Sequence, residues 1–329
     1  MLGLIERARG VLHSQLALVP FAILVLAVML FGLALGSRFL SPFTLSLLLQ
    51  QVMIVGLIGA AQTLVVLTAG IDLAGGAIMV LASVVMGQFA VGYGMPTPIA
   101  ILVGLALGAA IGYVNGVLVA RVRLQPFIVT LGMWQIVLAA NFLYSRNESI
   151  RSQVIDEQAP LLHLFGRTID AGGATLTLGT IAMIGLVVAL GYLLNHTAWG
   201  RHVYAVGDDP EAAELAGVQV KRTLVSVYVL AGVICAFAGW VLIGRVGSVA
   251  PTSGQFANIE SITAVVIGGI SLFGGRGSIL GMLFGALIVG VFGLGLRIAG
   301  TDPQWTYLLI GVLIIAAVVI DRWIRQVAA

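Results

Sequence analysis

Charge is what this 329-residue sequence has least of. Only 9% of its residues are Asp, Glu, Lys or Arg, whereas 60% are hydrophobic, and its mean hydropathy is +1.12. A soluble domain carries about 25% charged residues. A water-soluble globular chain is therefore excluded, and a polytopic membrane protein is expected. Cysteine is nearly absent. Cys235 stands alone, so no internal disulfide can form. No Cys/His cluster has metal-ligand spacing, so no metal site is expected. The four histidines, at 13, 163, 196 and 202, are scattered and read as solvated loop residues. The motifs G-x-S-x-G, H-E-x-x-H and G-x-x-x-x-G-K-[ST] are all missing, so no catalytic residues are assigned and an enzyme is not expected. The stretch GGISLFGGRGS has the glycines of a phosphate loop but not the Lys followed by Ser or Thr, and it abuts a membrane span. Any ATP must be bound by another chain. The pI of about 9.3 does not signal nucleic acid, because the 16 basic residues occur singly or in pairs.

What is present is a series of apolar runs. About 20 apolar residues cross a bilayer, and ten candidate spans follow, near 16–36, 45–68, 73–91, 97–119, 125–144, 176–195, 223–245, 259–273, 277–297 and 304–320. Residues 1–329 thus form one all-α, polytopic helical bundle with no second domain. The first run exceeds the 7–15 residues of a signal-peptide core and reads as a retained span. The eighth is short and Gly-rich; it either crosses or is re-entrant. Two polar stretches interrupt the pattern, 145–175 and 196–222. Positive residues favour the cytoplasmic side. With both termini inside, Arg7, Arg9, Arg121, Arg123, Arg201, Lys221, Arg222, Arg276, Arg322 and Arg325 face inward, against Arg38, Arg146, Arg151, Arg167, Arg245 and Arg297 outward. The 196–222 stretch is then cytoplasmic and 145–175 external.

The glycines are patterned. Gly104, Gly108, Gly112 and Gly116 recur every four residues, as do Gly277, Gly281 and Gly285. Such stripes let helix backbones approach closely in lipid, either around a moving pathway or as ordinary packing. GIDLAGG (70–76) and GISLFGG (269–275) match at five of seven positions. They read as broken-helix elements of an internal repeat or as coincidence in a Gly-rich chain. Asp72 is a carboxylate near membrane depth, which is costly unless paired or wet; it is either functional or the N-cap of the third span. Glu260 and Arg276 bracket the eighth run and can pair with solvent or each other. Asn115, Gln135, Asn141 and Asn258, with Ser271, complete the pathway candidates. Their polar groups suit a polyhydroxy ligand or a neighbouring helix.

Within 196–222, the stretch DDPEAAELAG reads as one short helix. Asp209 can cap its first turn and Pro210 fits the first helical position. Glu211 sits at the positive end of the dipole, and Gly217 can end the helix in the left-handed conformation. About seven helical residues are too few to be stable alone, so the helix either docks on a partner or rests on its own protein surface.

Taken together, GIDLAGGAIMV (70–80), NGVLVARVRLQPFIVTLG (115–132), GRHVYAVGDDPEAAELAGV (200–218), ESITAVVIGGISLFGGRGSILG (260–281) and the Trp-bearing last span (305–320) run through most of the chain in one order. This set resembles the membrane-spanning permease subunits of bacterial ABC importers for monosaccharides, the ribose-type permeases, with a type II importer fold. One departure is visible: such permeases often follow GIDL with Ser-Val-Gly, whereas Leu73 here precedes Ala74, Gly75 and Gly76. The stretches TLGMWQIVLAANFLYS, GDDPEAAELAGV and VAPTSGQFANIESIT look most like fructose-type permeases, then ribose- and xylose-type.

The resemblance implies a multi-pass protein of the bacterial cytoplasmic (inner) membrane. It also implies a second permease copy, identical or related, and a periplasmic sugar-binding protein that docks in part on 145–175. A separate ATPase would hold ATP and Mg, and this chain would bind no cofactor. Asp208, Asp209, Pro210, Glu211, Ala212, Ala213 and Gly217 would then form the coupling helix seated on that ATPase. The implied cargo is a monosaccharide moved by alternating access. The alternative class is a stand-alone secondary transporter or facilitator, for which Asp72 and Glu260 are the ion-site candidates. An intramembrane enzyme is a third class and lacks any catalytic constellation.

Overall fold

The computed structural model describes residues 17–171, 173–254, 256–302, 304–313, 315 and 319. Arg7, Arg9, His13, Arg322 and Arg325, both termini and the end of the tenth run fall outside them. Three helices lead into one polar stretch: α1 (Leu18–Leu35), α2 (Pro42–Leu67) and α3 (Gly75–Gly87), the last continued by a wide turn over Gln88–Gly92. Then come α4 (Thr97–Ala120), α5 (Pro126–Ser145), the short α6 (Ser152–Gln158), a 3-10 segment at Pro160–Gly166, and a hairpin of β1 (Thr168–Ala171) and β2 (Ala174–Thr177). The second half holds α7 (Leu178–His196), α8 (Ala198–Asp208), α9 (Pro210–Leu215), α10 (Val220–Val246), α11 (Ala257–Ile267) and α12 (Ile279–Ile298). A last apolar helix, α13, is described over Gln304–Leu313.

Ser, Thr and Pro punctuate the helix starts. Ser41 accepts from the Thr44 N–H at 3.1 Å ahead of Pro42. Thr177 caps α7, Thr197 caps α8 and Ser278 caps α12 in the same way. Each side-chain oxygen satisfies a backbone N–H that has no partner within the helix.

Among the described residues, eight helices are long and apolar enough to cross a membrane. They fall into two layers. The most apolar windows of α2, α3, α10 and α12 are 67–72% buried within the chain, whereas those of α1, α4, α5 and α7 are 17–33% buried. Outward faces of the second group carry large exposed apolar side chains such as Leu33, Leu143 and Val188, as a lipid-facing surface requires.

The structure refines four of these readings. The eighth run is the 11-residue α11, about 16 Å long at 1.5 Å per residue, half the hydrocarbon thickness. It stops because Gly268 lies against the Gly281 backbone and Gly269 takes φ +75°. The 196–222 stretch holds two helices, not one. The extra helix, α8, buries Gly200, Val203, Val206 and Gly207 on one face, and that alternation was hidden among its charges. The stretch 145–175 holds regular structure, with Ile155, Ala159 and Leu162 fully buried and a hairpin pairing Thr168 with Thr177. Finally, Gly277 precedes α12 and has φ +139°, so the second stripe has only Gly281 and Gly285 within its helix.

The glycines of α4 touch two neighbours. A Cβ at Gly104 would strike the Met86 side chain, at Gly108 the Gly232 carbonyl, and at Gly112 the Tyr228 carbonyl. At Gly116 it would lie 2.9 Å from the Val225 Cα. The α4 backbone is therefore pressed onto α10. Gly281 meets the Gly268 carbonyl and Gly285 the Ala264 carbonyl, which sets α12 against α11 in the same manner.

Candidate functional site: two turns, a wedge and a cavity

Two broken helices define the interior. α2 ends where Ala69 (φ +60°) turns the chain, with Ala69 N–H donating to Val66 O and Gly70 N–H to Val65 O. α11 ends in the same way: Gly269 (φ +75°) turns it, its N–H donates to Val266 O, and Ile270 N–H donates to Val265 O. Both follow the double bond of a left-handed C-terminal cap. The equivalent residues are 200 apart, whereas GIDLAGG and GISLFGG are 199 apart. The two turns are alike in backbone, and the shared Gly-Ile dipeptide is displaced by one residue. Thr63 and Thr263, also 200 apart, each donate to the carbonyl four residues earlier.

After the first turn the chain climbs back inside the bundle. Gly75 lies beside Ile58 and Cys235; Ile58 is nine residues up α2 from Leu67, about 13 Å. Asp72 sits in this re-entrant strand, 4% exposed, and its Oδ1 accepts from Ala74 N–H at 2.8 Å. Asn258, at the start of α11, ties the strand down: its Nδ2 donates to Leu73 O at 3.0 Å and its Oδ1 accepts from Gly76 N–H at 3.2 Å. Thr130 on α5 donates to Ile71 O at 2.9 Å. A non-helical backbone at this depth is tolerated because other parts of the chain satisfy it.

A second non-helical segment, 247–256, enters from the hairpin end. Val249 pairs with Ile150 and lies against Gly87, while Gly254 lies against Met79. It borders a cavity of about 410 Å³ lined by Arg245, Thr252, Ser253, Phe256 and Glu260 together with apolar residues of α2. That volume lies within the range of about 300–1,000 Å³ for small-molecule sites. Phe256 rests on Tyr307. Arg245 and Arg297 are the cations whose charge reaches Glu260. Arg276, one of the two partners considered for Glu260, does not pair with it; among the described residues the one contact of a carboxylate with a basic side chain within 4 Å is His163 Nδ1 with Asp156 Oδ1, at 2.6 Å.

The other candidates do not converge here. Asn141 is buried and donates to Pro251 O at 2.8 Å, which fixes the 247–256 segment. Asn115 is fully buried, and neither of its amide atoms has a protein partner among the described residues. Gln135 is exposed. Ser271 is buried at the opposite end, its N–H donating to Arg276 O. Arg245, Thr252, Ser253 and Phe256 were missed by sequence reasoning. The stretch that carries three of them, VAPTSGQFANIESIT, stood out only for its resemblance to sugar permeases, and Arg245 only as an outward-side cation.

At that opposite end α8 meets both turns. A Cβ on Gly207 would collide with the Leu67 carbonyl and approach the Gly275 nitrogen at 2.7 Å. Gly275 N–H itself donates to Leu67 O at 3.0 Å, and a Cβ there would lie 2.8 Å from the Asp208 Cα. Tyr204 donates to Gly277 O at 2.9 Å. The end of α8 is thus wedged between the first and second turns with no side-chain cushion. α9 projects from it. Asp209 Oδ1 caps it by accepting from Glu211 and Ala212 N–H at 2.9 and 3.0 Å, Pro210 opens it, and Gly217 follows with φ +86°. Asp208 is the last residue of α8. Ala213 is buried, while Glu211, Ala212 and Leu215 are exposed, Leu215 at 91%. The arm thus presents an exposed apolar side chain, Leu215, next to the carboxylate of Glu214.

An all-helical bundle with re-entrant turns and a rigid polar arm is the architecture of a transport permease, and the chain belongs to the family described as branched-chain amino acid transport system / permease component, whose model matches residues 44–318. Within that family it is 67% identical to the fructose import permease protein FrcC of Rhizobium meliloti, over 99% of this chain and 91% of the relative. It is 35% identical to the ribose import permease protein RbsC of Escherichia coli K12, over 94% of each chain. It is 33% identical to the galactose/methyl galactoside import permease protein MglC of the same strain, over 91% of each. No solved structure matches.

Proposed function

We propose that this chain is the membrane-spanning subunit of an ATP-driven importer for a monosaccharide, fructose first and ribose or xylose after it. The observation that carries the reading is the wedge of Gly207 and Asp208 between the two turns, joined to a short capped arm that has an exposed apolar tip. In this reading Asp209 to Gly217 seat in a separate ATPase on the cytoplasmic side, and that ATPase holds the ATP and Mg. Force on α9 passes through α8 to Leu67 and Gly275 without slack, because backbone meets backbone there. The turns and the helices they end then shift, and access to the cavity near Glu260 alternates between sides.

The cavity suits a neutral sugar. Thr252 and Ser253 offer hydroxyls, Phe256 an apolar ring face, and Arg245 and Glu260 charged donors and acceptors whose opposite signs leave little net charge. A second permease copy completes the pathway. A periplasmic sugar-binding protein docks in part on 145–175, and both termini face the cytoplasm of the bacterial inner membrane.

Gentle detergent extraction from the native membrane, with identification of co-purifying chains, tests this. The expected result is a stoichiometric ATPase with nucleotide-binding motifs, and uptake of radiolabelled fructose in proteoliposomes only when that ATPase and ATP are present. Uptake that persists without any ATPase would refute the reading in favour of a stand-alone transporter.

A further inference from the structure

A second groove lies far from the cavity, at the end where α8 and α9 sit. It holds about 380 Å³ between the end of α4 and the first half of α10. Its mouth carries Arg121, Lys221 and Arg222, all exposed. None of the three has an ion-pair partner among the described residues. Arg222 donates to Gln219 Oε1 at 2.7 Å, which leaves most of its five donors free. Below the mouth the lining turns apolar. Val225, Val229 and Val233 follow at four-residue steps on one face of α10, with Leu230 beside them. The strip is about 12 Å long along the helix axis, and its far end lies about 17 Å from the charges. Ser226 stands at the transition, and its hydroxyl already donates to Thr223 O and accepts from Trp199 Nε1. No carboxylate lines the groove.

Charge at the surface and an apolar channel beneath it, lined by part-exposed side chains of α10, is the complement of an anionic amphiphile. We propose that this groove is a binding site for an anionic phospholipid, its phosphate held by Arg121, Lys221 and Arg222 and one acyl chain laid along Val225, Val229 and Val233. A helix from a second copy does not fit, since a helix with its side chains is about 10 Å across and the hollow is too small. A free anion would use the mouth but has no use for the strip. Basic clusters between spans at the membrane surface recognise acidic headgroups, each cation being worth about a fivefold gain.

The test is native mass spectrometry of the delipidated, detergent-solubilised chain, titrated with phosphatidylglycerol and with phosphatidylcholine of the same acyl composition. The expected result is one phosphatidylglycerol per chain bound at least tenfold tighter than phosphatidylcholine. Preference should be lost in the R121Q/K221Q/R222Q triple variant and kept in R38Q/R167Q, which removes two cations from the opposite end. Should the triple variant fail to fold, each single variant should weaken binding about fivefold. Equal binding of both lipids, or a triple variant that keeps its preference, overturns the proposal. So does displacement of the lipid by millimolar inorganic phosphate, which would make the mouth a simple anion site. A triple variant that changes oligomeric state without changing lipid binding also overturns it, and assigns the groove to a contact between copies.

Discussion

The two turns share a backbone and differ in everything that holds them. The first, after α2, is fastened from several directions. Asp72 caps Ala74, Asn258 bridges Leu73 and Gly76, and Thr130 reaches Ile71. The second, after α11, has glycines at 274, 275 and 277 with positive φ. Its outer reach touches Leu67, Gly207 and Asp208 through backbone, and Tyr204 holds its last carbonyl. The end of α8 bears on both, on the first at the Leu67 carbonyl and on the second at Gly275. Under the proposed reading, an anchored turn beside a less anchored one would convert a push on α9 into relative motion of the two.

Substitutions can break this contrast, and the largest effect is expected at the wedge. Gly207→Val places a branched side chain where the Leu67 carbonyl already lies. It should cost about 3 kcal/mol or more by overpacking, read as a fall in the melting temperature in detergent. Gly185→Val, with nothing within 4 Å of its Cβ, should leave that temperature unchanged within error. Next comes Asn258→Ala, which removes both bonds that fasten the first turn and leaves two backbone groups without them. About 2 kcal/mol of stability should be lost, and amide exchange should rise at Leu73 to Gly76.

A smaller effect separates the two readings of Asp72. As a cap, Asp72→Ala should lose about 1 kcal/mol, while Asp72→Asn keeps an acceptor for Ala74 and should retain sugar uptake within about twofold. An ion-binding Asp72 would instead lose all uptake as Asn with stability unchanged. The smallest effect is expected at Gly217, where nothing lies within 4 Å and only the φ of +86° objects to a side chain. Gly217→Ala should cost about 1 kcal/mol, confined to the α9 arm and visible as faster amide exchange there.

The sequence made the outline of this molecule legible because the signals were long or chemically narrow. Apolar runs of about 20 residues map onto eight spanning helices. Asp209, Pro210 and Gly217 each have one strongly preferred place at a helix end, and α9 begins and ends on them. The eighth run misled because hydropathy does not distinguish a full span from a half-length helix followed by a buried glycine turn. α8 went unseen because its buried face is short, Gly200, Val203, Val206 and Gly207 interleaved with Arg201, His202 and Asp208, and no run of apolar residues marks it. The cavity was half visible: Glu260 stood out as a charge in an apolar setting. Arg245, Thr252 and Ser253 did not, because only the inward dip of 247–256 beside α3 brings them to it. The wedge at Gly207 was not legible at all, since its partners Leu67 and Gly275 lie far away in the chain and the contact is made by backbone.

The central claim is that α9 passes work from an ATPase to the two turns. The direct measurement is ATP-driven fructose uptake in proteoliposomes by the complete complex carrying Glu211→Arg, with its melting temperature alongside. Glu211 is exposed and contributes only its backbone N–H to the fold. The account predicts loss of uptake with a melting temperature like that of the unmodified chain. Normal uptake in this variant would contradict it.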